Sequence, residues 1–156
     1  MSDTNVSDGS ARGDNLRTDG ARLWDSLMEM AKIGATEKGG VCRLALTDLD
    51  RESRDLFARW CEEAGCTISV DKMGNMFARR PGRNNDLPPI MTGSHLDSQP
   101  TGGKYDGVYG VLAGLEVVRT LNDLKIETEA PIEVAVWTNE EGSRFAPAMI
   151  ASGVYA

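Results

Sequence analysis

Pro131-Ile132-Glu133-Val134-Ala135-Val136-Trp137-Thr138, running into Asn139-Glu140-Glu141-Gly142, is the stretch that decides the fold. Ile132, Val134, Val136 and Thr138 fall on one face of an extended chain, and Glu133, Ala135 and Trp137 on the other. Residues 131–138 therefore read as a strand. Upstream lies a helical pattern over 107–124, with Val108, Val111, Leu112, Leu115, Val118 and Leu121 forming a broad apolar surface. Before it, Ile90-Met91-Thr92 leads into Gly93-Ser94-His95-Leu96-Asp97. Helices alternating with strands predict an α/β fold, a layered sheet with flanking helices. In open sheets of this kind, sites gather beyond the carboxyl ends of strands. His95 and the Glu140–Glu141 pair both occupy such positions. Gly107, Gly110 and Gly114 each cost roughly 1 kcal/mol against Ala inside a helix. Their backbone must lie close to something, either the sheet or a ligand at the helix start.

Working outward, a helix is expected over 21–33, capped by Asp19 or Gly20 and stopped at Gly34. Trp24, Leu27, Met28 and Ala31 form its stripe, widened by Leu23 and Met30. A second helix is expected over 48–64, with Thr47 as cap and Gly65 as stop. Phe57, Trp60, Cys61 and Ala64 line one face of it, and Arg51 with Asp55 makes a surface pair. Residues 66–70 and 76–80 form a hairpin around the turn at 71–75, and 81–89 is an exposed loop held extended by Pro88-Pro89. Residues 1–19, rich in Ser, Asp, Asn and Gly, read as a disordered tail. Residues 20–156 read as the structured part of the chain.

The chain has 156 residues, a length that fits about one domain. Its formal net charge of -7 argues against non-specific nucleic-acid binding, which needs basic stripes. No apolar run reaches the roughly 18 residues of a membrane span. The first residues lack the basic and apolar regions of a signal peptide. A cytoplasmic protein with neither membrane nor nucleic-acid partners is the expectation. Cys42, Cys61 and Cys66 are sparse, odd in number and without a Cys-x-x-Cys pair, so they read as structural thiols.

Three polar clusters sit at strand or helix ends: His95 with Asp97, Asp106, and Glu140 with Glu141. Each alone has a plain reading. His95 serves as a hydrogen-bonding loop residue, Asp106 as a helix cap, and the Glu-Glu pair as solvated surface. Together, bracketed by glycines, imidazole and carboxylates suit a hydrolytic zinc, manganese or cobalt site. Two consecutive glutamates can divide the work, one gripping metal and one moving protons. The chain holds a single histidine, so such a site leans on carboxylates or is incomplete. A nucleotide-binding reading is weak, because the dinucleotide spacing and the phosphate-loop motif are both missing.

Gly93-Ser94-His95-Leu96-Asp97-Ser98, Gly102-Gly103-Lys104-Tyr105-Asp106-Gly107 and Asn139-Glu140-Glu141-Gly142-Ser143-Arg144-Phe145 resemble the signature of the N-carbamoyl-L-amino-acid hydrolases. That family includes beta-ureidopropionase and allantoate amidohydrolase, and it resembles the dinuclear zinc peptidases and aminoacylases. The likeness extends to Gly39-Gly40-Val41-Cys42-Arg43-Leu44, Asp71-Lys72-Met73-Gly74-Asn75 and Pro131-Ile132-Glu133. It implies that His95 binds one metal, Asp106 bridges two, and Glu141 binds the second. It further implies that Glu140 is the general acid/base and that Asp97 holds His95 in its tautomer. Ser94, Gly103 and Gly107 then shape turns, and Asn139 and Arg144 shape the site. The implied cofactors are two divalent ions per full-length subunit, from Zn, Mn, Co or Ni. The implied reaction is hydrolysis of the ureido C–N bond of N-carbamoyl-L-amino acids or ureidopropionate, giving amino acid, carbon dioxide and ammonia. The loop from Ser98 to Lys104 favours this branch over the allantoate branch.

Family members run to about 400 residues and draw two more histidine ligands from later sequence. They also carry a smaller lid domain that makes the homodimer contact. The chain is therefore expected to be a piece of a longer hydrolase, inactive alone, or else one half of a split protein. The alternatives are an allantoate amidohydrolase, an aminoacylase or peptidase of the same superfamily, or an inactive structural relative or subunit.

Overall fold

The computed structural model describes residues 16–156. Its elements are α1 (Gly20–Met30), α2 (Asp48–Glu63), β1 (Thr67–Val70), β2 (Met76–Arg80), β3 (Ile90–His95), α3 (Val108–Asp123), β4 (Ile132–Trp137) and α4 (Ile150–Tyr155). The strand reading over 131–138 becomes β4, an inner strand of a four-stranded sheet of order β1-β2-β4-β3. Val134, Ala135 and Val136 are all fully buried, so both faces of β4 are covered. β2 runs antiparallel to β4, pairing Phe77 with Ala135, and β1 closes the expected hairpin. β3 runs parallel to β4 in the register Ile90 to Ile132 and His95 to Trp137. That register brings the two carboxyl ends to one edge, so His95 and the 139–141 loop emerge side by side.

α3 returns the chain from β3 to β4 and packs on both strands. Its Val108, Val111, Leu112, Leu115 and Val118 are buried with Met76, Ala78, Val134 and Val136. Each such side chain contributes roughly 1.5–3 kcal/mol by leaving water. The helix glycines divide between the two roles open to them. A Cβ at Gly114 would lie 2.8 Å from Val134 Cγ1, and one at Gly110 would lie 2.8 Å from Ser94 Cβ, so both permit close helix-on-sheet packing. Gly107, at φ +69°, would place its Cβ 2.5 Å from the His95 ring. There the missing side chain makes room for the histidine itself.

Several expectations are corrected. Of the expected 1–19 tail, residues 1–15 lie outside the described residues, and 16–19 are exposed and free of regular structure. α1 stops at Met30, short of Ile33, and the chain turns through Gly34 at φ +73°. Leu27 and Met30 carry its stripe into the core, but Trp24 is half exposed and meets Tyr105 at 6.1 Å between ring centroids. Periodicity marks a face without showing how far the partner layer extends over it. Arg51 pairs with Asp48 at 3.4 Å rather than with Asp55. The i,i+4 pair that does form is Asp50–Arg54, at 3.1 Å and buried, because Arg54 also reaches Gly74 O and Thr138 Oγ1. Cys61 and Cys66 are buried free thiols, and burial pushes both thiol pKa values up, which leaves them unreactive. No helix of the described residues is long and apolar enough to cross a membrane.

α1 is pinned to α3 by Arg22, which donates to Glu116 at 2.9 and 2.8 Å. Burial works to raise the Glu116 pKa, and hydrogen bonds from Arg22, the Asp19 N–H and Thr120 outweigh it, so the folded value is lowered. The sign follows: the stabilisation is complete above the unfolded Glu value of about 4.3 and is lost as pH falls through the lower folded value. Urea midpoints should therefore drop between about pH 6 and about pH 3, and more shallowly in Glu116→Gln. Parallel curves for the two proteins would remove Glu116 from the acid limb.

Candidate metal centre

His95 ends β3 with its ring buried beneath Gly107. Its Nδ1 lies 2.8 Å from the main-chain oxygen of Asp97. A carbonyl only accepts, so Nδ1 carries the hydrogen and Nε2 presents a lone pair. The family resemblance gives this orienting role to the Asp97 carboxylate. Here the Asp97 carbonyl takes it, with the nearest carboxylate oxygen 3.8 Å away. The carboxylate instead accepts from the Glu140 N–H at 3.2 Å and the Glu141 N–H at 3.3 Å, anchoring the acidic loop against β3. Burial pushes the Asp97 pKa up, and those two N–H groups and His95 work against the rise.

Nε2 faces acceptors on every side. Glu140 Oε2 is 3.3 Å from it and Asp106 Oδ1 3.9 Å. One ligand atom each from His95, Asp106 and Glu141 lies within 4.8 Å of the others. Glu141 Oε1 is buried with no hydrogen-bond partner. Asp106 does not cap α3, which begins after Gly107 without a side-chain cap, and its carboxylate is 64% exposed. The His95 ring nitrogen, the Asp106 and Glu140 carboxylates and the unpartnered Glu141 Oε1 converge. A buried oxygen left without a donor costs free energy unless a cation or proton joins it. The donor set therefore fits a divalent ion.

Loop 139–149 is stitched in place from within. Asn139, buried and at φ +55°, donates through Nδ2 to Phe145 O at 2.7 Å. Arg144 reaches across to Ala45 O and Leu46 O at 2.9 and 2.6 Å. The structure thus brings His95, Asp97, Asp106, Glu140 and Glu141 to one place. Sequence reasoning passed over Arg43. It is fully buried, and it donates through Nε to Leu96 O at 3.2 Å and through Nη1 to Ile33 O at 2.8 Å and Met30 O at 3.4 Å. Its main chain also pairs with Ser98, which accepts at Oγ from the Arg43 N–H and donates its own N–H to Arg43 O, both at 2.8 Å. The available signal was a lone cation set among Val41, Cys42 and Leu44.

Residues 91–156 match the model of peptidase family M20/M25/M40. The chain is 64% identical to the N-carbamoyl-L-amino-acid amidohydrolase of Rhizobium meliloti, over 94% of this chain and 35% of that protein. A ureidoglycolate hydrolase of Arabidopsis thaliana is 32% identical, over 91% of this chain and 30% of that protein. Among solved structures, a hydantoinase/carbamoylase family amidase from Burkholderia ambifaria superposes with a TM-score of 0.90. It is 65% identical, over 91% of this chain and 35% of that one. The chain spans about a third of the length of the curated relatives it matches. The resemblance read from the sequence holds, and the fold matches the part of the hydantoinase/carbamoylase family structures that the chain covers, about a third of their length.

Proposed function

We propose that this chain is part of a metal-dependent amidohydrolase that cleaves the ureido C–N bond of N-carbamoyl-L-amino acids or ureidopropionate. The carrying observation is the convergence of His95, Asp106 and Glu141 within 4.8 Å, beside Glu140. His95 through Nε2, Asp106 and Glu141 would hold divalent metal. Two ions per full-length subunit, from Zn, Mn, Co or Ni, complete the reading, with further ligands from sequence beyond this chain. When bound, such ions supply Lewis-acid polarisation of the ureido carbonyl and of water.

Glu140 takes the proton of the attacking water on a side-chain oxygen and returns it to the leaving nitrogen. Asp97 holds the Glu140 and Glu141 N–H groups, and its carbonyl keeps Nε2 of His95 free for the ion. One water is consumed, and a free amino acid, carbon dioxide and ammonia leave. We further propose a small-molecule substrate, a cytoplasmic setting, and a homodimer formed through a lid domain outside these residues. Residues 20–156 would be part of the catalytic domain.

The test uses a polypeptide that continues this sequence to the length of its relatives. It should hydrolyse N-carbamoyl-L-amino acids or ureidopropionate in preference to allantoate and N-acetyl amino acids, and lose activity on chelation. His95→Ala should lose metal in step with turnover. The 156-residue chain alone should be inactive. Full activity after exhaustive chelation, or turnover by the 156-residue chain, would overturn the reading.

A further inference from the structure

The two oxygens of Glu141 stand in different settings. Oε2 accepts a hydrogen bond from Gln99 Nε2 at 2.9 Å, and Oε1 is buried without a partner. Gln99 comes from a loop fixed on both sides. Ser98 is bonded to the Arg43 main chain, and Gly102 exchanges two 3.0 Å main-chain bonds with Val41. The amide is therefore presented by a tethered backbone although the side chain itself is exposed. The Gln99 side chain makes no other hydrogen bond among the described residues, and its main-chain oxygen accepts from Ser98 Oγ at 2.9 Å.

We propose that Gln99 is a positioning residue for the metal centre: its amide holds Glu141 by Oε2 and so reserves Oε1 for the ion. The inference rests on the metal-centre reading above. A carboxylate bound at one oxygen by a neutral donor keeps its charge and loses its freedom to rotate. Partners of this kind typically contribute 10- to 100-fold in metal affinity. Sequence reasoning touches Gln99 only as a branch-marking loop residue. Its partner lies 42 positions away, across the site.

The experiment titrates Co²⁺ into the polypeptide that continues this sequence to the length of its relatives, and into its Gln99→Met and His95→Ala variants, following the visible d–d bands and the metal-free thermal midpoint. Gln99→Met removes the donor at nearly constant shape on an exposed side chain. The expected result for Gln99→Met is a Kd weaker by about 10- to 100-fold with altered band intensities and an unchanged metal-free midpoint, and for His95→Ala fewer bound ions with weaker bands. Affinity within about twofold of wild type would overturn the role of Gln99 while leaving the centre intact. Weakened binding accompanied by a lowered metal-free midpoint would overturn it in favour of a general structural role. Wild type and His95→Ala behaving alike would overturn the metal centre itself, and this inference with it.

Discussion

Glu140→Gln in the full-length enzyme should lower turnover by about 10²- to 10⁴-fold, the usual contribution of a positioned acid/base. The substitution keeps shape and removes only the ability to carry a proton. The Glu140 N–H still donates to Asp97, so the loop keeps its anchor. Metal affinity should stay close to wild type, because the three converging ligand atoms come from His95, Asp106 and Glu141. Glu141→Gln is the contrasting variant, and there metal affinity and turnover should fall together. Steady-state kinetics beside metal titration separates the two. Retention of more than about a tenth of wild-type kcat in Glu140→Gln would remove Glu140 from the proton transfer.

Arg43→Met should lower folding stability by about 2–4 kcal/mol, a large part of the roughly 5–15 kcal/mol a domain has. The guanidinium is buried with no carboxylate of the described residues within 4 Å, and burial pushes its pKa down from the usual arginine value. What holds it is three main-chain oxygens, on Met30, Ile33 and Leu96. Leaving each acceptor bare costs about 1–3 kcal/mol, and relief of the buried charge offsets part of the sum. Arg43→Lys should recover only part of the loss, since a point charge cannot span the end of α1 and the His95 loop at once. Urea unfolding measures both variants. A loss under about 1 kcal/mol in Arg43→Met would mean that water replaces the guanidinium at no cost.

Much of the fold was legible from short-range patterns. The caps at Asp19 and Thr47 form as expected, each accepting a main-chain N–H of the first turn. The hairpin of β1 and β2 forms around the Asp71–Asn75 turn, where the Asp71 carboxylate accepts from the Met73 and Asn75 N–H groups. The five polar residues picked out at strand and helix ends are the five that converge. The misreadings share a cause. Trp24 has the right spacing for a core face, yet Leu27 and Met30 are buried while Trp24 stays half exposed beside Tyr105. Arg51 has a partner at the right interval, yet the buried surface lies along Asp50 and Arg54.

Sequence by itself determined α1 to α3, the four strands, the caps at Asp19 and Thr47 and the inventory of metal-capable side chains, while α4 was not read from it. Those follow from periodicity, backbone preference and donor chemistry, all of which act within a few residues. Tertiary structure alone decided which atoms face one another. The parallel pairing of β3 with β4 sets His95 opposite Trp137 and so beside the acidic loop. Packing chose the Asp97 carbonyl over its carboxylate as the partner of Nδ1, gave Gln99 to Glu141, and placed Arg43 behind Leu96. These contacts join residues that are distant in sequence, or turn on a difference of about 1 Å between neighbouring oxygens. Local composition carries no trace of either.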